Sequence, residues 1–233
     1  MMYVINKKAM FVGLFLLFSC SDQSTDLPAS TTNPVPETQT EQKDQLTPKI
    51  IIIGDSITAG LGVAEDKVYP TLLADKFQQE GMPTTVLNGG LSGDTTAGGL
   101  RRIDWYLKQN PDLLLIELGG NDGLRGISLA DIEANLGAMI EKAQAAKVDV
   151  RLIQMQVPAN FGQEYTDGFF ALYSKVAKQY NVPLLPFLLD GVAGDRKYNQ
   201  PDGIHPTEEG HVLIADTMFA QLKDWRKDWK EDQ

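Results

Sequence analysis

Ser56 lies in Gly54-Asp55-Ser56-Ile57-Thr58, directly after the apolar run Ile50 to Ile53, and Asp202 and His205 lie in Asp202-Gly203-Ile204-His205-Pro206 near the other end of the chain. A serine hydroxyl is a poor nucleophile until a neighbouring base takes its proton. A carboxylate three residues before an imidazole, across a glycine, can turn back to one ring nitrogen, fix the tautomer and leave the other nitrogen free to accept that proton. Acyl transfer also needs hydrogen-bond donors aimed at the developing oxyanion. Gly93, in Leu91-Ser92-Gly93-Asp94, offers a backbone N–H with no side chain in the way, and Asn121, in Gly119-Gly120-Asn121-Asp122-Gly123, offers an amide NH2. The N–H of Ser56 itself is a third candidate.

Each residue also has a plainer reading. Ser56 could be a helix N-cap. The Asp202–His205 segment could be a surface turn whose side chains satisfy local backbone groups. Gly119 to Gly123 could be a turn, or a loop that moves when a ligand enters. Only two histidines are present, so a histidine base must be His205 or His211, and His211 falls inside the last amphipathic stretch, where a structural role is expected.

The elements that must bring these residues together are legible as an alternation. Ile50–Ile53, Thr85–Leu87, Leu113–Leu118, Val150–Met155 and Val182–Leu185 read as strands, and stretches near 69–80, 96–108, 129–146, 165–180 and 207–224 read as helices. Leu129, Ile132, Leu136, Met139 and Ile140, for example, fall at helical spacing. Thr207 is placed to cap the last helix, with Glu208 and Glu209 favourable in its first turn. Strand–helix alternation predicts an α/β fold with a parallel sheet covered on both faces. Right-handed crossovers put every strand-to-helix loop on the carboxyl edge of the sheet, where such folds bind ligands. Ser56, Gly93 and Asn121 each follow a strand by a few residues, so topology alone gathers them there.

The chain has 233 residues and a net charge of −10, with no cluster of Lys and Arg, which argues against a nucleic-acid partner. One cysteine, Cys20, excludes an internal disulfide, and no Cys/His spacing resembles a metal site. No metal and no organic cofactor is expected. No heptad or long apolar stripe demands a second copy, so a monomer is the default.

Residues 1–19 read as a targeting segment: Lys7 and Lys8 precede an apolar run, Ala9 to Phe18, of 10 residues. That run falls short of the roughly 20 residues a membrane span needs. Leu17-Phe18-Ser19-Cys20 resembles a bacterial lipobox, which implies lipidation of Cys20, a membrane anchor and, with Ser21 following, an outer-membrane address. Ordinary secretion to the periplasm or beyond is the alternative. Residues 20–47 are poor in large apolar side chains and carry Pro28, Pro34 and Pro36, so they read as a disordered linker able to span roughly 30 Å. The third segment, 48–233, is then the folded domain.

Gly-Asp-Ser, then Gly, then Gly-Gly-Asn-Asp, then Asp-Gly-Ile-His-Pro, in that order across about residues 49–222, resembles the block pattern of the SGNH (GDSL-like) hydrolases. Glu117–Gly126, Val157–Gly162 and Pro183–Phe187 are similar to stretches of the bacterial thioesterase I, lysophospholipase L1 and arylesterase subgroup. The resemblance implies a three-layer α/β/α sandwich, flavodoxin-like, with strand order 2-1-3-4-5. It implies Ser56 as nucleophile, His205 as base and Asp202 as its orienting acid, with Ser56, Gly93 and Asn121 as the oxyanion hole. Loops near 122–126 and 157–165 would shape an acyl pocket.

The expectation is therefore a serine esterase that hydrolyses small-molecule or lipid acyl esters, thioesters or lysophospholipids through an acyl-enzyme. Two rivals remain open: a carbohydrate acetylesterase acting on acetylated glycans, and a binding lipoprotein that kept the architecture without the chemistry.

Overall fold

A computed structural model describes residues 47–229. The expected leader (1–19), Cys20 and the 20–47 linker, apart from Thr47, lie outside the described residues, as do residues 230–233.

Five parallel strands, β1 (Lys49–Gly54), β2 (Thr85–Gly90), β3 (Leu113–Glu117), β4 (Asp149–Ile153) and β5 (Leu184–Leu185), form one sheet in the order β2-β1-β3-β4-β5. The central strands are apolar at successive positions because both faces are covered. Ile51, Ile53, Leu114 and Ile116 enter one core, while Ile50, Ile52, Leu113 and Leu115 enter the other. The first core is closed by helices α3 (Thr96–Leu107), α5 (Leu129–Ala145) and α6 (Gln163–Tyr180), through residues such as Ile103, Met139 and Tyr173. The second is closed by α2 (Tyr69–Gln79) and α7 (Glu208–Asp228), through residues such as Phe77 and Met218. Two short helices, α1 (Ser56–Ala59) and α4 (Gly120–Leu124), sit on the carboxyl edge. The result is the expected three-layer α/β/α sandwich.

Local chemistry sets the boundaries. Thr95, Ser128 and Thr207 cap α3, α5 and α7 by accepting from backbone N–H groups of the first turn. The strand expected over 182–185 shrinks to two residues because Val182 is spent on the end of α6. Asn181 takes a left-handed conformation there, and the Val182 N–H donates to the Ala177 carbonyl at 3.0 Å. The glycine-rich segment 119–123, which by composition favours a turn, instead forms most of α4. Asp122 is the anchor: its buried carboxylate accepts from Thr96 N–H at 2.9 Å and Thr96 Oγ1 at 2.6 Å. Gly119 supplies the entry at φ 115°, and a side chain at that position would collide with the Tyr173 hydroxyl.

His211 links the two helices of the second layer. It is buried in α7, its Nδ1 accepts from the Tyr69 N–H at the start of α2 at 3.2 Å, and its ring stacks on Tyr69. Burial pulls its pKa from 6.5 down to about 4. The unfolded chain therefore binds the proton more readily than the folded one between those values. Stability from this group is complete above about pH 6.5 and is lost as pH falls towards 4. Replacing His211 with Asn keeps an acceptor for Tyr69 and removes the titration. Urea midpoints measured at pH 7 and pH 4.5 should fall less steeply in H211N than in the parent; identical slopes would contradict a neutral buried imidazole.

Candidate active site

Gly54 ends β1 opposite Gly90 of β2 on one side and Glu117 of β3 on the other, so the next residues leave the sheet between two strands. Asp55 caps the short helix that follows, its Oδ1 accepting from Ile57 N–H at 3.0 Å. Ser56 is thus the first helical residue and not the cap; its hydroxyl is left for other partners. The nucleophile turn is tightly built. A Cβ at Gly54 would meet the Thr58 hydroxyl and a carboxylate oxygen of Glu117, and one at Gly90 would meet the backbone of α1.

The Asp202–His205 segment folds back on itself through Gly203, at φ 72°. Asp202 Oδ1 accepts from the N–H groups of Ile204 at 2.9 Å and His205 at 3.0 Å, and Oδ2 meets His205 Nδ1 at 2.7 Å. These bonds, the His205 N–H foremost, hold the Asp202 carboxyl ionised, with a pKa lowered to about 2. An ionised partner fixes the ring hydrogen on Nδ1, so Nε2 presents its lone pair. That nitrogen lies 2.8 Å from Ser56 Oγ. The loop is tied to the nucleophile side by Gln200, whose side-chain amide donates to the Leu61 carbonyl at 2.7 Å and whose backbone N–H donates to the His205 carbonyl at 2.7 Å.

Asn121, the second residue of α4, faces Ser56 across a cavity that both line together with His205. Its Nδ2 donates to Asp55 Oδ2 at 3.2 Å, which fixes the amide plane and leaves the second hydrogen for a ligand. Burial raises the Asp55 pKa to about 6, against the lowering effects of the Ile57 N–H and His205. Gly93 sits at φ 78° in the loop after β2, a conformation that favours glycine. Arg125 Nη2 grips the Gly93 carbonyl at 3.0 Å, tying this loop to the end of α4. Arg102 holds the same region from below, paired with Asp94 at 2.7 Å and donating to the Gly54 carbonyl at 2.9 Å. Ser56, Asp202 and His205 are thus in direct contact, and Asn121 joins them at the cavity. Gly93 is on the adjoining loop but is not among the cavity-lining residues.

The cavity has a volume of about 520 Å³ and a mostly apolar wall. Leu124, Val157 and Pro158 come from the two loops expected to shape it. Met155, Phe187, Leu189 and Ile204 also line it. The sequence carries no sign of the contribution of 187–193, because an irregular segment has no periodicity to reveal which side chains turn inward. Two buried carboxyls, Asp55 and Glu117, stand beside the site with no role that the sequence pattern assigns. Glu117 left one signal: a lone ionisable residue in the apolar run Leu113–Leu118.

The GDSL-like lipase/acylhydrolase family model matches residues 52–213. Over 175 residues the chain is 42% identical to the thioesterase 1/protease 1/lysophospholipase L1 of Escherichia coli K12, covering 75% of this chain and 83% of that protein. It is 40% identical over 179 residues to an arylesterase of Vibrio mimicus, covering 76% and 90%. Among solved structures, the psychrotrophic esterase EstA from Pseudoalteromonas, inhibited by monoethylphosphonate, superposes with a TM-score of 0.75 at 34% identity, covering 77% of this chain and 99% of that one. The sheet order, the Gly-Asp-Ser turn and the extent of these matches agree, and the chain belongs to the GDSL-like lipase/acylhydrolase family.

Proposed function

We propose that this ester-hydrolysing enzyme works through a covalent acyl-enzyme on Ser56, with His205 as general base and then general acid, and Asp202 as the group that orients and stabilises its ring. The observation that carries this reading is the unbroken line Asp202 Oδ2, His205 Nδ1, His205 Nε2, Ser56 Oγ, with contacts of 2.7 and 2.8 Å, at the mouth of an apolar cavity. As Ser56 Oγ attacks the acyl carbon, its proton passes to His205 Nε2, and the carbonyl oxygen gains the negative charge. The N–H groups of Ser56 and Gly93 and the Asn121 amide receive that oxyanion. His205 returns the proton to the leaving oxygen or sulfur, the acyl group stays on Ser56, and water repeats the cycle to release the acid. All of these groups come from one copy of the chain, so the site asks for no partner subunit.

The substrate we infer is an ester or thioester with a hydrocarbon acyl chain. Leu124, Met155, Val157, Phe187 and Leu189 offer such a chain a dry wall. An acetylated glycan would find few polar partners there. Ser56→Ala should abolish turnover of a nitrophenyl ester and labelling by a fluorophosphonate while leaving the urea midpoint close to the parent's. Parental turnover by S56A would refute the assignment.

We propose further that Cys20 is lipidated and that the enzyme is held at the outer membrane facing the periplasm. The support is the basic, apolar and Leu17-Phe18-Ser19-Cys20 sequence of the leader. Metabolic labelling with palmitate should mark the full chain and not Cys20→Ala, which should move to the soluble fraction. Equal partition of the two would favour a soluble periplasmic or secreted enzyme.

A further inference from the structure

The reaction proposed above makes no use of Glu117, although this carboxyl is fully buried directly beside the nucleophile turn. We propose that Glu117 is a positioning residue: it holds the turn from Gly54 to Thr58, and so aims the Ser56 N–H and, through Asp55, the Asn121 amide at one point. The proposal rests on Ser56 being the nucleophile.

The geometry is specific. Glu117 Oε2 accepts from the Asp55 N–H at 3.2 Å and from Thr58 Oγ1 at 2.6 Å, so it pins the residue on each side of Ser56 and Ile57. Thr58 spends its hydrogen on Glu117, and therefore takes one from the Tyr69 hydroxyl at 2.7 Å. Only glycine at position 54 leaves space for this arrangement. Asp55, whose N–H is held in this way, presents its own carboxylate to Asn121 at 3.2 Å. A continuous path thus runs from α2 through β3 to two of the candidate oxyanion donors.

The two carboxyls divide their work by charge. Both Asp55 oxygens receive donors, Ile57 N–H and Asn121, as an anion requires. Glu117 Oε1 has no partner among the described residues. The titratable side chains facing Glu117 are Asp55, Tyr69 from α2 and Tyr173 from α6, none of them a cation. Arg102, which reaches the Gly54 carbonyl, is paired with Asp94, and His205 acts on Asp55. Burial, then the Asp55 charge, keeps the Glu117 carboxyl protonated well above the ordinary carboxylate range. A neutral Glu117 gives the turn its acceptor without placing a second negative charge under a developing oxyanion.

Steady-state kinetics on a short nitrophenyl ester, with fluorophosphonate labelling of the parent as control, tests this. Glu117→Gln keeps the acceptor oxygen and the neutrality, and should retain kcat within about threefold, whereas Glu117→Ala should lower kcat about 10–100-fold with KM nearly unchanged, a loss below that of a whole oxyanion donor. Thr58→Val, which removes one donor to Glu117 at constant shape, should fall between them. Infrared spectra at pH 7 should show a protonated carboxylic acid band in the parent that is missing from E117Q. A loss in E117Q as deep as in E117A, parental kcat in E117A, or absence of that band overturns the proposal. Should E117A not fold, E117Q, T58V and the infrared band still decide it. Failure of the parent to label at Ser56 would sink the nucleophile assignment instead, and leaves the infrared result standing on its own.

Discussion

Ser56 Oγ and His205 Nε2 lie 2.8 Å apart although 149 positions separate them in sequence, and the use of every other group at the site depends on that meeting. Neither partner could hold the contact alone. The serine is fixed by a strand that is apolar on both faces, β1, and by a turn too crowded for any residue but glycine at its start. The imidazole is fixed by its Nδ1 bond to Asp202, by the two backbone N–H bonds that fold its loop onto the same carboxylate, and by the docking of α7, capped by Thr207, against α2. The cores on the two faces of the sheet therefore do more than stabilise the fold. They set the separation of two loops to within a hydrogen bond, which is the tolerance that proton transfer demands.

Electrostatics around the turn follow a consistent division. Asp202 stands partly in solvent, receives three donors and stays ionised with a pKa near 2. Asp55 is buried, pays for its charge with two donors and titrates near 6. Glu117, deeper still and with one oxygen bare, keeps its proton. Three acids within one small region thus differ in acidity, and the deepest of them in charge, because burial and donor count differ, and not because their intrinsic acidities do. The charge that remains lies where it orients an imidazole or an amide, and the third acid adds shape alone.

How much of this the sequence discloses depends on how each feature is encoded. The Ile50 and Leu113 runs announce doubly covered strands, and the helical spacing in 129–146 announces α5 almost to the residue. Ser56, Asp202 and His205 are legible because their spacing matches a chemistry that few other arrangements serve. Segment 119–123 is misleading as a stretch of turn residues: the tie from Asp122 to Thr96, made 26 residues away, overrides local preference and winds it into α4. The strand near 182 is overestimated for the complementary reason, since an apolar residue can end a helix as readily as extend a strand. The cavity wall from 187 to 193 and the Asp55–Glu117 pair arise from tertiary contacts between irregular segments, and no local pattern records such contacts.

The most direct test of the account is a crystal structure of the enzyme after reaction with a small organophosphonate. The account requires a covalent bond from Ser56 Oγ to phosphorus, with the phosphoryl oxygen within hydrogen-bond distance of the N–H groups of Ser56 and Gly93 and of Asn121 Nδ2, and His205 Nε2 turned to the remaining ester oxygen. An adduct on any other residue, or a phosphoryl oxygen pointing away from all three donors, would contradict it.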